Sequence, residues 1–337
     1  MSFRVTIKAS QHAFSNREDE TILEAALREG YELPYGCRNG ACGSCKGRVA
    51  QGEVALGKHD KSALSDSEIA EGMTLFCCAK PLSDLVIECR EIKAAKDIQV
   101  KTLPCRVQKL SRYADTMVIH LKLPASERLQ FMAGQYIDIL LKDGKRRSFS
   151  LANAPHDDEM LELHVKNVAG GNFSRHVFTD MKEKDILRFE GPHGTFCLDE
   201  SSEKPIVFVA SGTGFAPIKS IVEHAFHIGI ERQMTLYWGV NTLADLYMID
   251  LPEKWAETHE NFSFVPVLSS PLPEDNWSGR TGFVHHAVME DFSDLSGHQV
   301  YACGSPVVVQ AAHKDFTSQR GLPEDQFFSD AFTFSPK

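Results

Sequence analysis

The chain has 337 residues, 42% of them hydrophobic, enough to bury two or three separate cores. Its 46 Asp and Glu outweigh 36 Lys and Arg, and the net charge of −10 argues against a nucleic-acid partner, whose phosphates demand clustered basic residues. No stretch approaches the ~20 apolar residues of a membrane span, and Met1–Lys8 has no apolar core of signal-peptide length.

Nine cysteines spread over a chain of this size fit a reducing compartment better than a disulfide framework, so the expected location is the cytoplasm. Phe3-Arg4-Val5-Thr6-Ile7 alternates as a half-buried strand does. Asp19 or Thr21 is placed to cap a helix over Ile22, Leu23, Ala25, Ala26 and Leu27, with Gly30 as its stop. Then comes Cys37-Arg38-Asn39-Gly40-Ala41-Cys42-Gly43-Ser44-Cys45, followed much later by Leu75-Phe76-Cys77. Three thiols at C-x₄-C-x₂-C spacing and a distant fourth suit a plant-type [2Fe–2S] cluster. Four thiolates must converge on two irons, so one curled loop supplies Cys37, Cys42 and Cys45 and a returning segment supplies the last. Gly36, Gly40 and Gly43 let such a loop take positive φ and bring backbone N–H groups near the sulfurs. A structural Cys₄ zinc site is the competing use of four thiols, but zinc takes paired C-x₂-C knuckles and only one exists here. The residues alone leave Cys77 and Cys78 both available as the fourth ligand. Lys46–Ala50 and Leu85–Glu88 read as strands, and Ser65 opens a short helix through the Ser-x-x-Glu spacing to Glu68. Cys89 reads as a small apolar residue.

This stretch resembles a plant-type ferredoxin of the β-grasp α+β class, over about 90 residues, one small domain. The likeness rests on Asp19–Ala26, Pro34-Tyr35-Gly36-Cys37 and Cys42-Gly43-Ser44-Cys45. In that family the fourth ligand ends a Gly-x-x-Leu-x-Cys segment, here Gly72 to Cys77, so the resemblance assigns Cys77 and leaves Cys78 as a neighbour.

Ile92–Thr102, without clear periodicity, is the expected linker. Beyond it Cys105–Leu110, Met117–Leu123 and Tyr136–Leu141 alternate as strands between turn signals, the pattern of an antiparallel β-barrel. Three motifs stand within it: Arg147-Ser148-Phe149-Ser150 after Gly134-Gln135-Tyr136; Gly171-Asn172-Phe173-Ser174 opening a helix; and Gly191-Pro192-His193-Gly194-Thr195-Phe196. On one strand, Arg147 and Phe149 share a face opposite Ser148 and Ser150.

Lys204–Ala210 is the continuous apolar run of a buried parallel strand. It leads into Ser211-Gly212-Thr213-Gly214-Phe215-Ala216-Pro217 and a helical stretch, the arrangement by which a βα unit presents N–H groups to a phosphate. Met234–Gly239, Phe262–Val267 and Gln299–Gly304 continue a parallel α/β sheet, a nucleotide-binding class of fold. The expected division is a ferredoxin-like domain over 1–93, a flavin barrel over 101–200 and a nucleotide domain over 203–337.

The barrel and nucleotide motifs together resemble the ferredoxin–NADP⁺ reductase superfamily. The resemblance implies that Arg147 holds the FAD pyrophosphate, Phe149 stacks on the isoalloxazine and Ser150 sits near N5. Gly171 and Ser174 then close on the pyrophosphate at a helix N-terminus. Phe149 replaces the usual Tyr, which keeps stacking and loses a hydroxyl. Gly212, Thr213, Gly214, Cys303 and Gly304 match the two pyridine-nucleotide motifs, with Cys303 beside the nicotinamide. Phe327–Phe332 resembles the closing acidic–aromatic segment, in which Asp330 takes the place of a Glu that handles protons; a plain helix cap is its other reading.

The combination resembles reductases of bacterial multicomponent oxygenases and, more fully, the CDP-6-deoxy-Δ3,4-glucoseen reductase family, which serves a dehydrase making 3,6-dideoxyhexoses. The residues include Lys101-Thr102-Leu103-Pro104-Cys105, Ala133–Asp138, Tyr237-Trp238-Gly239 and Thr281–His285. It implies electron flow from NADH through FAD and a [2Fe–2S] cluster to a separate acceptor protein, either a dehydrase or an oxygenase component. Such partners meet in small, transient contacts. NADH is favoured over NADPH because Ser269-Ser270-Pro271 lacks the Arg that commonly meets a 2′-phosphate; Arg280 is the one candidate. The non-enzyme alternative is a degenerate reductase that only scaffolds a partner.

Overall fold

A computed structural model describes residues 2–89 and 98–333. The expected linker Ile92–Thr102 falls largely outside the described residues, and its last two positions, Lys101 and Thr102, already belong to a strand. The chain divides into two units. One takes Met1–Ile98 with Gly194–Phe196 and Asp330–Phe334; the other takes Gln99–His193 and Cys197–Ser329.

The first unit contains β1 (Ser2–Ile7), β2 (Ala13–Arg17), α1 (Ile22–Arg28), β3 (Lys46–Gln51), β4 (Val54–Ala55), α2 (Asp66–Ala70), β5 (Met73–Leu75), β6 (Lys80–Pro81) and β7 (Leu85–Glu88). The main sheet runs β2-β1-β7-β3-β5, and β4 and β6 form a separate ribbon. β1 pairs in parallel with β7, the other neighbours antiparallel. Thr21, not Asp19, caps α1: its Oγ1 accepts the Glu24 N–H at 3.2 Å while the Glu24 carboxylate accepts the Thr21 N–H at 2.8 Å. This reciprocal box satisfies two of the donors a helix start leaves open. Ser65 and Glu68 do the same for α2. Ile22, Leu23, Ala25 and Ala26 of α1 join Val5, Ile7, Phe14 and Ile87 in the core. One helix laid on a mixed sheet is the β-grasp arrangement.

The second unit begins with β8 (Lys101–Tyr113), β9 (Thr116–Lys122), β10 (Tyr136–Leu140), β11 (Arg146–Ser150), β12 (Leu161–Lys166), α3 (Asn172–Thr179) and β13 (Ile186–His193). Their sheet runs β11-β10-β13-β8-β9-β12 and is antiparallel throughout. Its two edges meet: Leu151, just past β11, bridges to Leu163 in β12, and the Ala152 N–H donates to the Glu162 carbonyl at 2.8 Å. That closure makes the sheet a barrel around Val107, Ile119, Leu121, Ile137, Ile139, Val165 and Phe189.

The same unit continues with β14 (Ile206–Ser211), α4 (Phe215–His227), β15 (Met234–Val240), α5 (Asp250–Thr258), β16 (Phe262–Leu268), β17 (Arg280–Thr281), α6 (Val284–Asp291), β18 (Gln299–Gly304), α7 (Pro306–Gln319) and β19 (Phe327–Ala331). The order is β17-β16-β15-β14-β18-β19, and the pairs from β14 to β18 are parallel. Ile206 to Ala210 are buried, as a central strand with helices on both faces requires. Asp330 lies in β19, which corrects the helix-cap reading. Among the described residues no helix is long and apolar enough to cross a membrane.

Candidate functional site

The loop from Tyr35 to Cys45 has no repeating structure, so its shape is set residue by residue. Arg38, Gly40 and Gly43 take φ of 58°, 78° and 81°. Gly40 is required twice over: its φ is left-handed, and a Cβ there would come 2.7 Å from Cys78 Sγ and 2.8 Å from the Lys58 carbonyl oxygen.

The four thiols nominated from the sequence converge in two pairs. Cys37 and Cys42 form one: the Cys42 thiol hydrogen-bonds Cys37, the Ala41 N–H points at Cys37 Sγ at 3.4 Å, and the Cys37 N–H points at Cys42 Sγ at 3.4 Å. Cys45 and Cys77 form the other, with their sulfurs 3.1 Å apart. The hydrogen bond from Cys42, then backbone N–H groups, pull the Cys37 thiol down to about 6. The Cys45 contact pushes Cys77 up to about 12. Two thiol pairs would hold two irons, and the N–H groups are donors of the kind that tune such a cluster. The donor set therefore fits a [2Fe–2S] group. Cys78 Sγ lies 3.5 Å from Cys77 Sγ but packs behind Gly40.

Two distant segments flank this loop within the same unit. Thr195 Oγ1 accepts the Tyr35 N–H at 2.9 Å and donates to the Tyr35 carbonyl at 3.0 Å. A Cβ on Gly36 would come 3.4 Å from Asp330 Oδ1. Asp330 thus stands beside the cluster loop.

In the barrel, β11 pairs with β10 so that Phe149 faces Ile137 and Ser150 faces Tyr136. Ser148 points away and donates to Asp138 Oδ1 at 2.6 Å. The Phe149 ring meets the Phe173 ring at 5.3 Å, which joins the Arg147–Ser150 motif to the Gly171–Ser174 motif at the start of α3. Gly171 is the N-cap, and a Cβ there would come 2.6 Å from Ser174 Oγ. The Ser174 hydroxyl accepts the Val168 N–H at 3.2 Å and donates to the Gly171 carbonyl at 3.1 Å, so it shapes the turn. The open N–H groups of the first helical turn are then what an anion meets. A cavity of about 190 Å³ at this turn is lined by Asn167 to Asn172 and by Arg175, a cation the sequence reading did not single out. Among the described residues Arg147 has no ion-pair partner; its guanidinium donates to the Arg146 carbonyl at 2.7 Å. Arg175 and a helix start offer the charge and the donors that a pyrophosphate needs.

The nucleotide motifs pack backbone against backbone. After β14 a tight 3₁₀ turn, Gly212–Gly214, leads into α4. A Cβ on Gly214 would sit 2.2 Å from the Cys303 carbonyl oxygen, and one on Gly304 (φ 120°) would sit 2.2 Å from that of Ser211. The Ser305 N–H donates to Ser211 Oγ at 3.2 Å, and Trp238 Nε1 donates to the Gly212 carbonyl at 3.0 Å. Thr213 is half-buried in the turn, and Cys303 is wholly buried at the end of β18. Arg280 is engaged elsewhere: it pairs with Asp291 and, at 3.2 Å, with Glu290.

Three family models match the chain in order: a 2Fe-2S iron-sulfur cluster binding domain over residues 5–82, an oxidoreductase FAD-binding domain over 105–197 and an oxidoreductase NAD-binding domain over 208–314. A CDP-6-deoxy-L-threo-D-glycero-4-hexulose-3-dehydrase reductase of Yersinia pestis is 42% identical over 333 residues, covering 98% of this chain and 99% of the relative. Protein RfbI of Salmonella typhimurium is 40% identical over 336 residues, covering 99% and 98%. The crystal structure of the Amycolatopsis cytochrome P450 reductase GcoB is 34% identical with a TM-score of 0.78, covering 98% of this chain and 99% of that one. With its three cofactor-binding domains in this order, the chain belongs to the family of NAD(P)H-dependent iron–sulfur flavoprotein reductases.

Proposed function

We propose that this chain carries electrons from NADH through FAD and a [2Fe–2S] cluster to a separate dehydrase acting on a nucleotide-linked 6-deoxyhexose. The observation that carries this reading is identity of 42% along essentially the whole length of a hexulose-3-dehydrase reductase. A bound flavin takes a hydride and returns electrons singly, which reconciles a two-electron donor with a one-electron carrier. The modules doing this work are 1–93, 101–200 and 203–337.

In this reading Cys37 and Cys42 hold one iron, Cys45 and Cys77 the other, supported by the two sulfur pairs. Arg147 and the start of α3 at Gly171 bind the FAD pyrophosphate, with Ser174 fixing the turn. Phe149 backs the isoalloxazine and Ser150 stands near N5. Gly212, Thr213, Gly214 and Gly304 receive the nucleotide, and Cys303 backs the nicotinamide. Asp330, beside Gly36, acts on the cluster loop. NADH is the preferred donor, because Arg280 is already neutralised by Glu290 and Asp291 and an added 2′-phosphate would stand unpaired beside these carboxylates. None of the nine cysteines is in a disulfide, in keeping with work in the reducing cytoplasm.

A second reading, service to an oxygenase, is favoured by the 34% identity with a cytochrome P450 reductase. Reconstituting the holoprotein with a hexulose 3-dehydrase, and separately with a P450 or ring-hydroxylating oxygenase, decides between them. The proposal expects NADH consumption that depends on the dehydrase and its sugar substrate. Consumption coupled only to an oxygenase overturns it.

A further inference from the structure

Oxidising NADH with electrons that leave toward a metal cluster frees one proton for each NADH, and a closed site needs a route for it. This inference rests on the reading just given. Strand β12 carries a polar chain through the second unit that no cofactor motif explains.

His164 is fully buried, its side chain 0% exposed, yet both ring nitrogens are bonded. Nε2 lies 2.7 Å from Glu162 Oε1, and Nδ1 lies 2.8 Å from the Tyr247 hydroxyl. A carboxylate can only accept, so Nε2 carries the hydrogen; Nδ1 is then the acceptor and the Tyr247 O–H donates to it. Both hydrogens point the same way, from Tyr247 toward Glu162.

The outer end continues to the surface. Glu162 Oε2 lies 3.5 Å from His120 Nε2, and the His120 side chain is 24% exposed. Lys219 Nζ stands 3.4 Å from Glu162 Oε1 and also donates to Glu223 at 3.0 Å and to the Ala152 carbonyl at 3.2 Å. Burial alone would raise Glu162, but His120, His164 and Lys219 together hold it far below the usual carboxylate range, so it passes a proton on and does not keep it. Burial keeps His164 neutral.

The inner end reaches the proposed reaction site from both sides. The Leu151–Leu163 bridge and the Ala152 N–H on the Glu162 carbonyl hold the end of the Arg147–Ser150 motif beside the stretch of β12 that carries His164. Tyr247 packs against Trp238, whose Nε1 donates to the Gly212 carbonyl of the nucleotide turn at 3.0 Å. Its ring meets Trp238 edge-on at 5.3 Å and Phe215 at 6.2 Å, an apolar wall that keeps water from short-circuiting the chain.

We propose that Tyr247, His164 and Glu162 form a proton relay that drains the flavin–nicotinamide site to solvent at His120. The incoming proton bonds to the Tyr247 oxygen as its own O–H proton passes to His164 Nδ1. The Nε2–H bond breaks as an O–H bond forms on Glu162, which releases the proton to His120 and water. No electron moves; each passage leaves the hydrogen on His164 Nδ1, and the chain is reset when that proton is given up and Nε2 takes one back by exchange with solvent through Glu162 and His120.

Tyr247→Phe keeps the ring packing and removes the transferable proton. In the holoprotein, rapid mixing with NADH follows flavin bleaching, which reports hydride transfer, while a pH-indicator dye follows proton release. The relay predicts unchanged bleaching and proton release slowed about 10²-fold, the low end of what a positioned acid–base group supplies. Glu162→Gln should give the same split. A readout without cofactors comes from ring-¹⁵N NMR of His164, assigned by its loss in His164→Gln: it should show the Nε2–H tautomer between about pH 5 and 8. Unaltered proton release, or the Nδ1–H tautomer, overturns the relay. Bleaching slowed in step with proton release, with a raised NADH KM, also overturns it and makes the chain a brace between β12 and the nucleotide fold. If the unmodified protein is not bleached by NADH, the functional reading fails, and the tautomer still decides the polarity of the chain.

Discussion

The cluster loop and the nucleotide turn both bring backbone amides close to a charged group, by opposite means. At the cluster the loop has no helix or strand to lean on; positive φ at Arg38, Gly40 and Gly43 curls it, and thiols are its chemistry. At the nucleotide turn the chain runs straight from a buried strand into a helix, and the chemistry is backbone, made possible by glycines at 214 and 304 pressed against the facing carbonyls. Side-chain ligands tolerate an irregular frame because metal bonds enforce their geometry once formed. A site made of amides must have its geometry from the fold beforehand.

That contrast predicts how each site breaks. The largest effect belongs to a ligand: Cys77→Ser should lose most of the visible iron–sulfur absorbance while flavin absorbance remains, and Cys78→Ser should keep both. Spectra of the two purified variants check this, and the reverse pattern would hand the ligand role to Cys78. Next, Cys303→Ala should slow flavin reduction by NADH by up to about 10²-fold, since hydride transfer depends steeply on how the nicotinamide is held. Its cluster should still be reduced normally by dithionite. An unchanged flavin-reduction rate, with nucleotide bound, would leave Cys303 as a packed strand-end residue.

A smaller effect tests the frame itself. Gly304→Ala places a Cβ 2.2 Å from the Ser211 carbonyl oxygen at a φ of 120°, so thermal unfolding should show a loss of about 1–3 kcal/mol along with weakened NADH binding. Full stability would mean the two turns move apart freely. The smallest effect is nucleotide choice: the KM for NADH should lie several-fold below that for NADPH. Equal KM values would point to Arg280 leaving Glu290 and Asp291, and Arg280→Ala would then be the test.

How much of this was legible in the sequence follows the same division. The cluster motif could be read because metal coordination fixes spacing along the chain; in the fold Cys37 lies against Cys42 and Cys45 against Cys77. The helix starts at Thr21 and Ser65 were legible because capping boxes are local. Strand β2 was missed because Asn16, a polar residue, occupies a buried position, with its Nδ2 donating to the Arg17 and Glu20 carbonyls at 2.9 and 3.0 Å; that breaks the alternation a strand is recognised by. The alternative reading of Asp330 as a helix cap fails although Ser-Asp suits a helix start: β19 joins a sheet, and nothing local says so. Thr195 on Tyr35, and His164 with Tyr247, were invisible for a different reason. Their partners lie 160 and 83 residues away, and only the fold brings them together.

The proposed electron flow has an order of events: hydride first, then single electrons into the cluster. Rapid mixing of the holoprotein with NADH, followed at the flavin and iron–sulfur bands together, tests it directly. The prediction is flavin bleaching in a first phase and cluster bleaching in a second, with the first phase preserved and the second absent in Cys77→Ser. Cluster bleaching that precedes flavin bleaching, or that survives when the flavin has been removed, would contradict it.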